Sequence, residues 1–151
     1  MIDRFERFSL AISEISRCWH KLTADEMEKY GLKGPHSVYL VTLLRFEEGV
    51  TAPKLCELCG KDKADVSRMM SIMEKKGLVT KERKGNTLYR GVFKLTDEGR
   101  KAAEDVCSRA SLATTLAGKD LSEENRKIFY EALESITENL KEISKQGLPT
   151  E

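Results

Sequence analysis

The centre of the chain, residues 55–79, reads LCELCGKDKADVSRMMSIMEKKGLV. Gly60 and Gly77 interrupt this stretch, and Asp62 is well suited to cap a helix from residue 63 to about residue 76. The apolar residues of that helix follow the i, i+3, i+4, i+7 spacing of one buried face: Val66, Met69, Met70 and Met73. The spacing predicts an amphipathic helix that is preceded by a sharp turn.

The other face of this helix carries small, hydroxyl-bearing and basic side chains: Ala64, Ser67, Arg68, Ser71 and Lys75. A helix that lies in the major groove of DNA needs small and hydrogen-bonding side chains on its outer face, with cations toward the phosphates. A plain amphipathic surface helix would show the same pattern in isolation. The neighbouring residues are therefore needed to distinguish a DNA-binding helix from a plain surface helix.

Charge is unevenly distributed along the chain. The 151 residues hold 26 basic and 25 acidic side chains, a net charge of +1. Residues 61–90 hold nine basic and four acidic side chains, so this segment is +5 and the remainder is −4. A local basic patch on a nearly neutral protein is typical of an anion-binding surface, although an ordinary solvated face can also be basic. The basic segment next to the amphipathic helix favours contact with DNA.

The flanking segments complete a recognisable order of elements. Upstream, short helices are predicted over residues 35–46 and 52–58, the second capped by Thr51. Downstream, residues 79–95 are rich in β-forming side chains and hold Gly85-Asn86 as a tight turn, which predicts a β-hairpin. The order is that of a helix-turn-helix, residues 51–76, followed by a β-wing.

Both ends of the chain are predicted to be helical, over residues 1–30 and 97–146. Thr96 and Ser122 are suited to cap the helices that follow them. Each end carries an apolar stripe at alternating gaps of three and four residues: Phe5, Phe8, Ile12, Ile15, Trp19 and Leu22, then Phe129, Leu133, Ile136, Leu140 and Ile143. Such a stripe is typical of a helix that packs against a partner helix. We therefore expect one mainly α domain over residues 1–151, a winged helix-turn-helix lobe with a small β-hairpin wing and a helical dimerisation lobe from both termini.

Composition excludes several classes of protein. The longest nearly apolar run, at residues 38–44, is far shorter than the roughly 20 residues of a membrane span. The first residues mix both signs of charge and lack the apolar region of a secretory signal. Four cysteines are too few for a disulfide scaffold of this length. We expect a soluble, cytoplasmic protein without a membrane partner.

Residues 55–79 resemble the helix-turn-helix of the MarR family. Residues 94–99, KLTDEG, are similar to that family's junction between the wing and the fifth helix. The resemblance extends to the length of the chain and to the two terminal stripes. It implies a homodimeric transcriptional regulator that binds a pseudo-palindromic operator on double-stranded DNA. Family members usually repress nearby genes and are released by a small-molecule effector or by oxidation.

The resemblance also implies which residues contact DNA. By this resemblance the recognition helix is residues 63–76 and the wing is residues 81–90, with its basic tip near the minor groove. The expected DNA-binding residues are Thr51, Lys63, Ala64, Ser67, Arg68, Ser71, Lys75, Arg83, Lys84, Asn86 and Arg90. The wing lacks the family's common Asp-x-Arg element, which leaves its contacts open. Ile72 also departs from the family, whose members often hold a polar residue at that position.

Three aromatic side chains are candidates for a ligand pocket where the first two helices meet the DNA-binding lobe: Trp19, His20 and His36. Core packing is the more common role for an aromatic residue at helical spacing. No nucleophile with an orienting base, glycine-rich phosphate loop or suggestive carboxylate pair is recognisable, so we expect neither an enzyme nor a cofactor.

Two alternative functions remain open. Cys56 and Cys59 form a C-x-x-C motif, which is typical of a redox switch or of metal ligands. With no second such motif to complete a zinc site, we expect no metal and interpret both cysteines as small core residues. A winged helix can also be a protein–protein interaction module, but its groove-facing positions would then be apolar or acidic.

Overall fold

The computed structural model describes residues 3–83 and 91–150. Within them the chain forms six α-helices, a 3₁₀ turn at Gly34–His36 and three β-strands. In chain order these are α1 (Arg4–Glu28), α2 (Ser37–Leu44), β1 (Val50–Thr51), α3 (Ala52–Cys59), α4 (Lys63–Lys75), β2 (Val79–Arg83), β3 (Gly91–Leu95), α5 (Asp97–Ala117) and α6 (Glu123–Gln146). The predicted fold class, mainly helical with a small β-wing, is confirmed.

Side-chain caps fix where the helices begin. The side chains of Thr51, Asp62 and Ser122 each accept a hydrogen bond from the backbone N–H three residues later, at 3.4, 2.7 and 3.1 Å. Gly60 and Gly77, with φ of 62° and 72°, lie in the left-handed region that a helix end often requires. In the structure α3 spans Ala52–Cys59 and α4 spans Lys63–Lys75, each within one residue of the bounds predicted from the sequence.

The sheet has the strand order β1-β3-β2 and is antiparallel throughout. β2 and β3 pair from Val79 with Leu95 to Arg83 with Gly91, which confirms the two strands of the predicted hairpin. Its predicted turn at Gly85-Asn86 lies outside the described residues. β1 was not predicted; its two residues pair with the other edge of β3, Val50 opposite Phe93.

The core of the winged-helix region lies between α2, α3, α4 and the sheet. The predicted buried face of α4 is confirmed, since Val66, Met69, Met70 and Met73 are all at most 2% exposed. The predicted helix over residues 35–46 is a 3₁₀ turn followed by α2. Tyr39 of α2 is fully buried there.

The junction between α4, the wing and α5 is held by backbone contacts. Thr96 donates its backbone N–H to the carbonyl of Leu78 at 3.0 Å and its hydroxyl to the carbonyl of Gly77 at 2.6 Å. The Thr96 hydroxyl also accepts from the N–H of Gly99 at 3.0 Å, so the predicted cap of α5 is confirmed. A Cβ at Gly99 would lie 1.9 Å from the Leu78 carbonyl oxygen, so only glycine fits there.

The chain divides into two compact units, Met1–Ser111 and Leu112–Glu151. In the first unit, Met27 is the only buried residue of α1, and the predicted stripe from Phe5 to Leu22 is exposed. In the second unit, α6 has no buried residue, and the stripe from Phe129 to Ile143 is exposed. No helix in the described parts of the chain has the length and apolar character that crossing a membrane requires.

Candidate nucleic-acid interface

The outer face of α4 is exposed and polar. Ala64, Ser67, Arg68, Ser71 and Lys75 are all exposed, whereas the apolar face of the same helix is buried. The N-terminal end of α4 is capped by Asp62, and Lys63 is exposed beside that end. The five side chains that the sequence assigned to the groove-facing surface therefore share one accessible face. This face can donate hydrogen bonds and carries positive charge.

One acidic residue interrupts this basic surface. Asp65 lies in the first turn of α4, and its carboxylate accepts a hydrogen bond from the hydroxyl of Tyr39 in α2. Its other carboxylate oxygen, Oδ1, lies 3.6 Å from Nη2 of Arg68. The hydrogen bond from Tyr39 lowers the pKa of Asp65. Burial and the bond to Asp65 together raise the pKa of Tyr39, so this pair is a phenol that donates to a carboxylate.

The wing strands present further basic groups. Arg83 is exposed at the end of β2. Lys81 places its Nζ 5.4 Å from the centre of the Phe93 ring, and Lys94 pairs with Glu82 at 3.1 Å, so these two lysines have partners within the sheet. Lys84, Asn86 and Arg90, expected at the wing tip, lie outside the described residues. Thr51 is half-buried and its hydroxyl serves as the cap of α3.

A cavity of about 380 Å³ lies beside α4. Its wall joins the segment between α1 and α2 to one side of α4: Gly31, Leu32, Lys33, His36, Asp65, Arg68, Met69 and Ile72. Of the three residues predicted to form a ligand pocket, only His36 lines this cavity. Trp19 and His20 are exposed on α1 and are not among its lining residues, so the three residues do not share it.

His36 places a buried ring nitrogen in the wall of this cavity. Its Nδ1 is buried and has no hydrogen-bond partner among the described residues. Burial lowers the pKa of the imidazole, against the attraction of nearby Asp65. Ile72 is 41% exposed in the same wall, which places an apolar side chain next to the basic face.

The cysteines of the C-x-x-C motif are half-buried free thiols. The thiol of Cys59 donates to the hydroxyl of Thr42 at 3.5 Å, and burial raises the pKa of Cys59. Both cysteines pack against the core of the winged-helix region. Among the residues that the structure describes, no cluster of three or more histidine, cysteine or acidic side chains is arranged to hold a metal ion.

Tyr39 and Asp65 were not recognised from the sequence as part of this interface. A signal was present for Asp65, because it is an acid on an otherwise basic groove-facing helix. None was present for Tyr39, since its contact with Asp65 depends on how α2 packs against α4. The wall residue Lys33 was missed for the same reason, whereas Ile72 stood out in the sequence only as a departure from the family's pattern.

A model of the MarR family matches residues 30–86, the segment that holds α2, α3, α4 and β2. Over residues 30–86 the chain is therefore similar to the MarR family. This similarity supports the coarse class of the protein, a DNA-binding regulator of transcription. No curated protein sequence matches the chain.

Solved MarR-type structures share the fold over most of the chain. A putative MarR family regulator from Listeria monocytogenes, solved with a 26mer DNA, is 21% identical with a TM-score of 0.78, covering 100% of this chain and 99% of that one. A MarR regulator from Methanosarcina mazei Go1 is 23% identical with a TM-score of 0.77, covering 91% and 99%. CouR from Rhodococcus jostii RHA1, bound to p-coumaroyl-CoA, is 20% identical with a TM-score of 0.69, covering 85% and 90%.

Proposed function

We propose that this chain is a homodimeric repressor of the MarR type that binds a pseudo-palindromic operator near its own gene in the cytoplasm. The observation that carries the proposal is the division of α4 into a buried apolar face and an exposed polar, basic face. Such a helix fits the major groove of DNA with its small and hydroxyl-bearing residues toward the bases. The exposed polar positions do not suit a protein–protein module, which would present apolar or acidic groups there.

The contacts are divided between bases and phosphates. We assign Ala64, Ser67, Arg68 and Ser71 to the groove, since they lie on the exposed face of α4. Lys63 and Lys75 lie near its two ends and are suited to phosphate contacts. From the wing, Arg83, Lys84, Asn86 and Arg90 are assigned to the adjacent minor groove, where basic side chains are attracted. Thr51 is assigned a phosphate contact in addition to its cap.

The exposed apolar stripes support dimerisation. A helix of 24 residues without a buried residue, such as α6, leaves its aromatic and aliphatic side chains in water unless a partner covers them. The stripe on α1 is exposed in the same way. A two-fold dimer would present two copies of α4 to two half-sites, about one helical turn or 34–36 Å apart.

We propose the cavity beside α4 as the effector site. The cavity is lined by three apolar residues, Leu32, Met69 and Ile72, and by two basic residues, Lys33 and Arg68. This combination suits a small molecule with an apolar body and an anionic group. Because Arg68 belongs to both the cavity wall and the groove-facing surface, a ligand there would compete with DNA. The p-coumaroyl-CoA complex of CouR supports a small-molecule signal.

Footprinting of the purified protein on the DNA upstream of its own gene tests this function. We expect one protected region with two inverted half-sites. A fragment of equal length from within the coding sequence is the control and should show no discrete protection. If neither this DNA nor selection from random duplexes yields a preferred sequence, the proposed function is wrong.

A further inference from the structure

Asp65 is held in the first turn of α4 both by its main chain and by its side chain. The backbone N–H of Asp65 donates to Oδ1 of Asp62 at 2.7 Å, which fixes its main chain as part of the helix cap. Its side-chain Oδ2 accepts from the hydroxyl of Tyr39. The side chain is only 27% exposed, so an acid on the groove-facing helix is directed toward the protein.

Tyr39 is well placed to hold this carboxylate in one position. Its side chain is fully buried in the core of the winged-helix region, which limits the space in which it can rotate. A buried hydroxyl needs a partner within the protein, because burial removes the water that would otherwise accept its hydrogen bond. Asp65 supplies that partner across 26 residues of sequence. The position of the Asp65 carboxylate therefore depends on its bond to a buried core residue, Tyr39.

Arg68 lies one helical turn after Asp65, and its side chain is 70% exposed. Its Nη2 lies 3.6 Å from Oδ1 of Asp65, the oxygen that Tyr39 does not use. An exposed arginine otherwise samples many rotamers, whereas bidentate recognition of guanine needs the guanidinium plane in one orientation. A fixed carboxylate at i−3 restricts that sampling.

We propose that Tyr39 and Asp65 are positioning residues of the DNA interface: the Tyr39 hydroxyl fixes the Asp65 carboxylate, which orients Arg68 for base recognition. This inference rests on the proposed function. The same bond keeps the Asp65 carboxylate turned toward the protein. Without it, the carboxylate is free to turn outward and to pair with Arg68 in arrangements that compete with the base. The pair therefore acts on sequence discrimination more than on general affinity for DNA.

The chain offers a matched control, because it holds a second tyrosine–aspartate bond far from α4 in sequence. Tyr30 donates its hydroxyl to Asp105 at 2.7 Å and joins the end of α1 to α5. Tyr39→Phe and Tyr30→Phe each remove one hydroxyl and leave the ring in place. Circular dichroism and thermal unfolding of both variants establish that they fold.

The measured quantity is the ratio of affinities for the operator selected by the wild-type protein and for a scrambled duplex, at one salt concentration. For Tyr39→Phe we expect this ratio to fall about five- to tenfold, with little change on the scrambled duplex. Tyr30→Phe should leave the ratio unchanged. Asp65→Asn keeps an acceptor for Tyr39 but removes the charge that holds Arg68, so its ratio should fall while its affinity for the scrambled duplex rises.

A double-mutant cycle with Arg68→Ala decides whether Tyr39 acts through Arg68. If it does, Tyr39→Phe lowers the ratio in the wild-type background and has no further effect in the Arg68→Ala background. Independent losses in the two backgrounds, an unchanged ratio in Tyr39→Phe, or an unchanged ratio in Arg68→Ala would each overturn the inference. A wild-type protein with no preferred sequence would instead refute the proposed function itself.

Discussion

Arg68 is the residue whose replacement reports most directly on how this protein reads DNA. We predict that Arg68→Ala weakens operator binding by about 1–3 kcal/mol and relaxes specificity at one base position, if its guanidinium contacts a guanine. If it contacts phosphate, the loss is uniform across sequences and the salt slope falls by about 0.9. Titrations at several salt concentrations distinguish the two outcomes.

Lys101→Ala is the control for the loss of one positive charge. Lys101 is exposed on α5, away from the groove-facing residues of α4 in sequence, and its replacement should leave operator affinity unchanged. An Arg68→Ala protein with wild-type affinity and wild-type salt dependence would remove Arg68 from the DNA surface.

The effect of cysteine oxidation on DNA binding distinguishes a ligand-released regulator from a redox sensor. Burial raises the pKa of Cys59, which keeps its thiol protonated and slow to oxidise. We therefore predict that peroxide leaves operator affinity unchanged in both wild type and Cys56→Ala/Cys59→Ala. Because Cys18 is exposed on α1, Cys18→Ala serves as the control for oxidation elsewhere. Reversible loss of binding in wild type, absent from the double variant, would establish a redox switch.

At the scale of the elements, the close approach of α5 to the end of α4 gives a sharp stability prediction. Gly99→Ala forces a Cβ to within 1.9 Å of the Leu78 carbonyl oxygen, so we expect a loss of about 3 kcal/mol. Gly60→Ala is the matched control, because its Cβ meets no atom within 4 Å and only its positive φ is strained, at about 1 kcal/mol. Urea unfolding measures both, and equal losses would contradict the packing argument.

The hydrogen bond from Tyr30, which follows α1, to Asp105 of α5 predicts a pH dependence of stability. The hydrogen bond to Asp105 and burial raise the pKa of Tyr30 from 10.0 to about 12. A raised pKa in the folded state means that this stabilisation is complete below pH 10 and is lost as pH rises toward 12. We expect wild type to be more stable than Tyr30→Phe by a constant amount below pH 10, with a difference that shrinks above it. A difference that stays constant up to pH 12 would contradict this assignment.

Helix boundaries were predictable from the sequence because their determinants are local. Thr51, Asp62, Thr96 and Ser122 cap helices through bonds to backbone groups three residues away. Contacts between segments that are distant in the sequence leave no local pattern from which they could be predicted. β1 spans two residues, too few to show the alternation of a strand, and it exists because β3 lies beside it. Tyr39 meets Asp65 for a comparable reason, through the packing of α2 against α4.

At the scale of the whole molecule, the exposed stripe on α6 determines the expected assembly. Leu133 lies within that stripe, whereas Glu138 lies on the opposite face of the same helix. In a two-fold dimer every interface residue occurs twice, so one substitution acts at two places. We predict that Leu133→Lys raises the dimer dissociation constant about 100-fold or more, since each copy loses about 1.5–3 kcal/mol of apolar burial.

Sedimentation at micromolar concentration measures this change, with Glu138→Lys as the control that places the same new side chain outside the stripe. Wild type and Glu138→Lys should sediment as dimers and Leu133→Lys as a monomer with an unchanged circular dichroism spectrum. Because a monomer engages only one half-site, Leu133→Lys should also lose affinity for the full operator while its weak affinity for an isolated half-site remains. A monomeric wild type, or equal behaviour of the two lysine variants, would show that α6 does not form the interface.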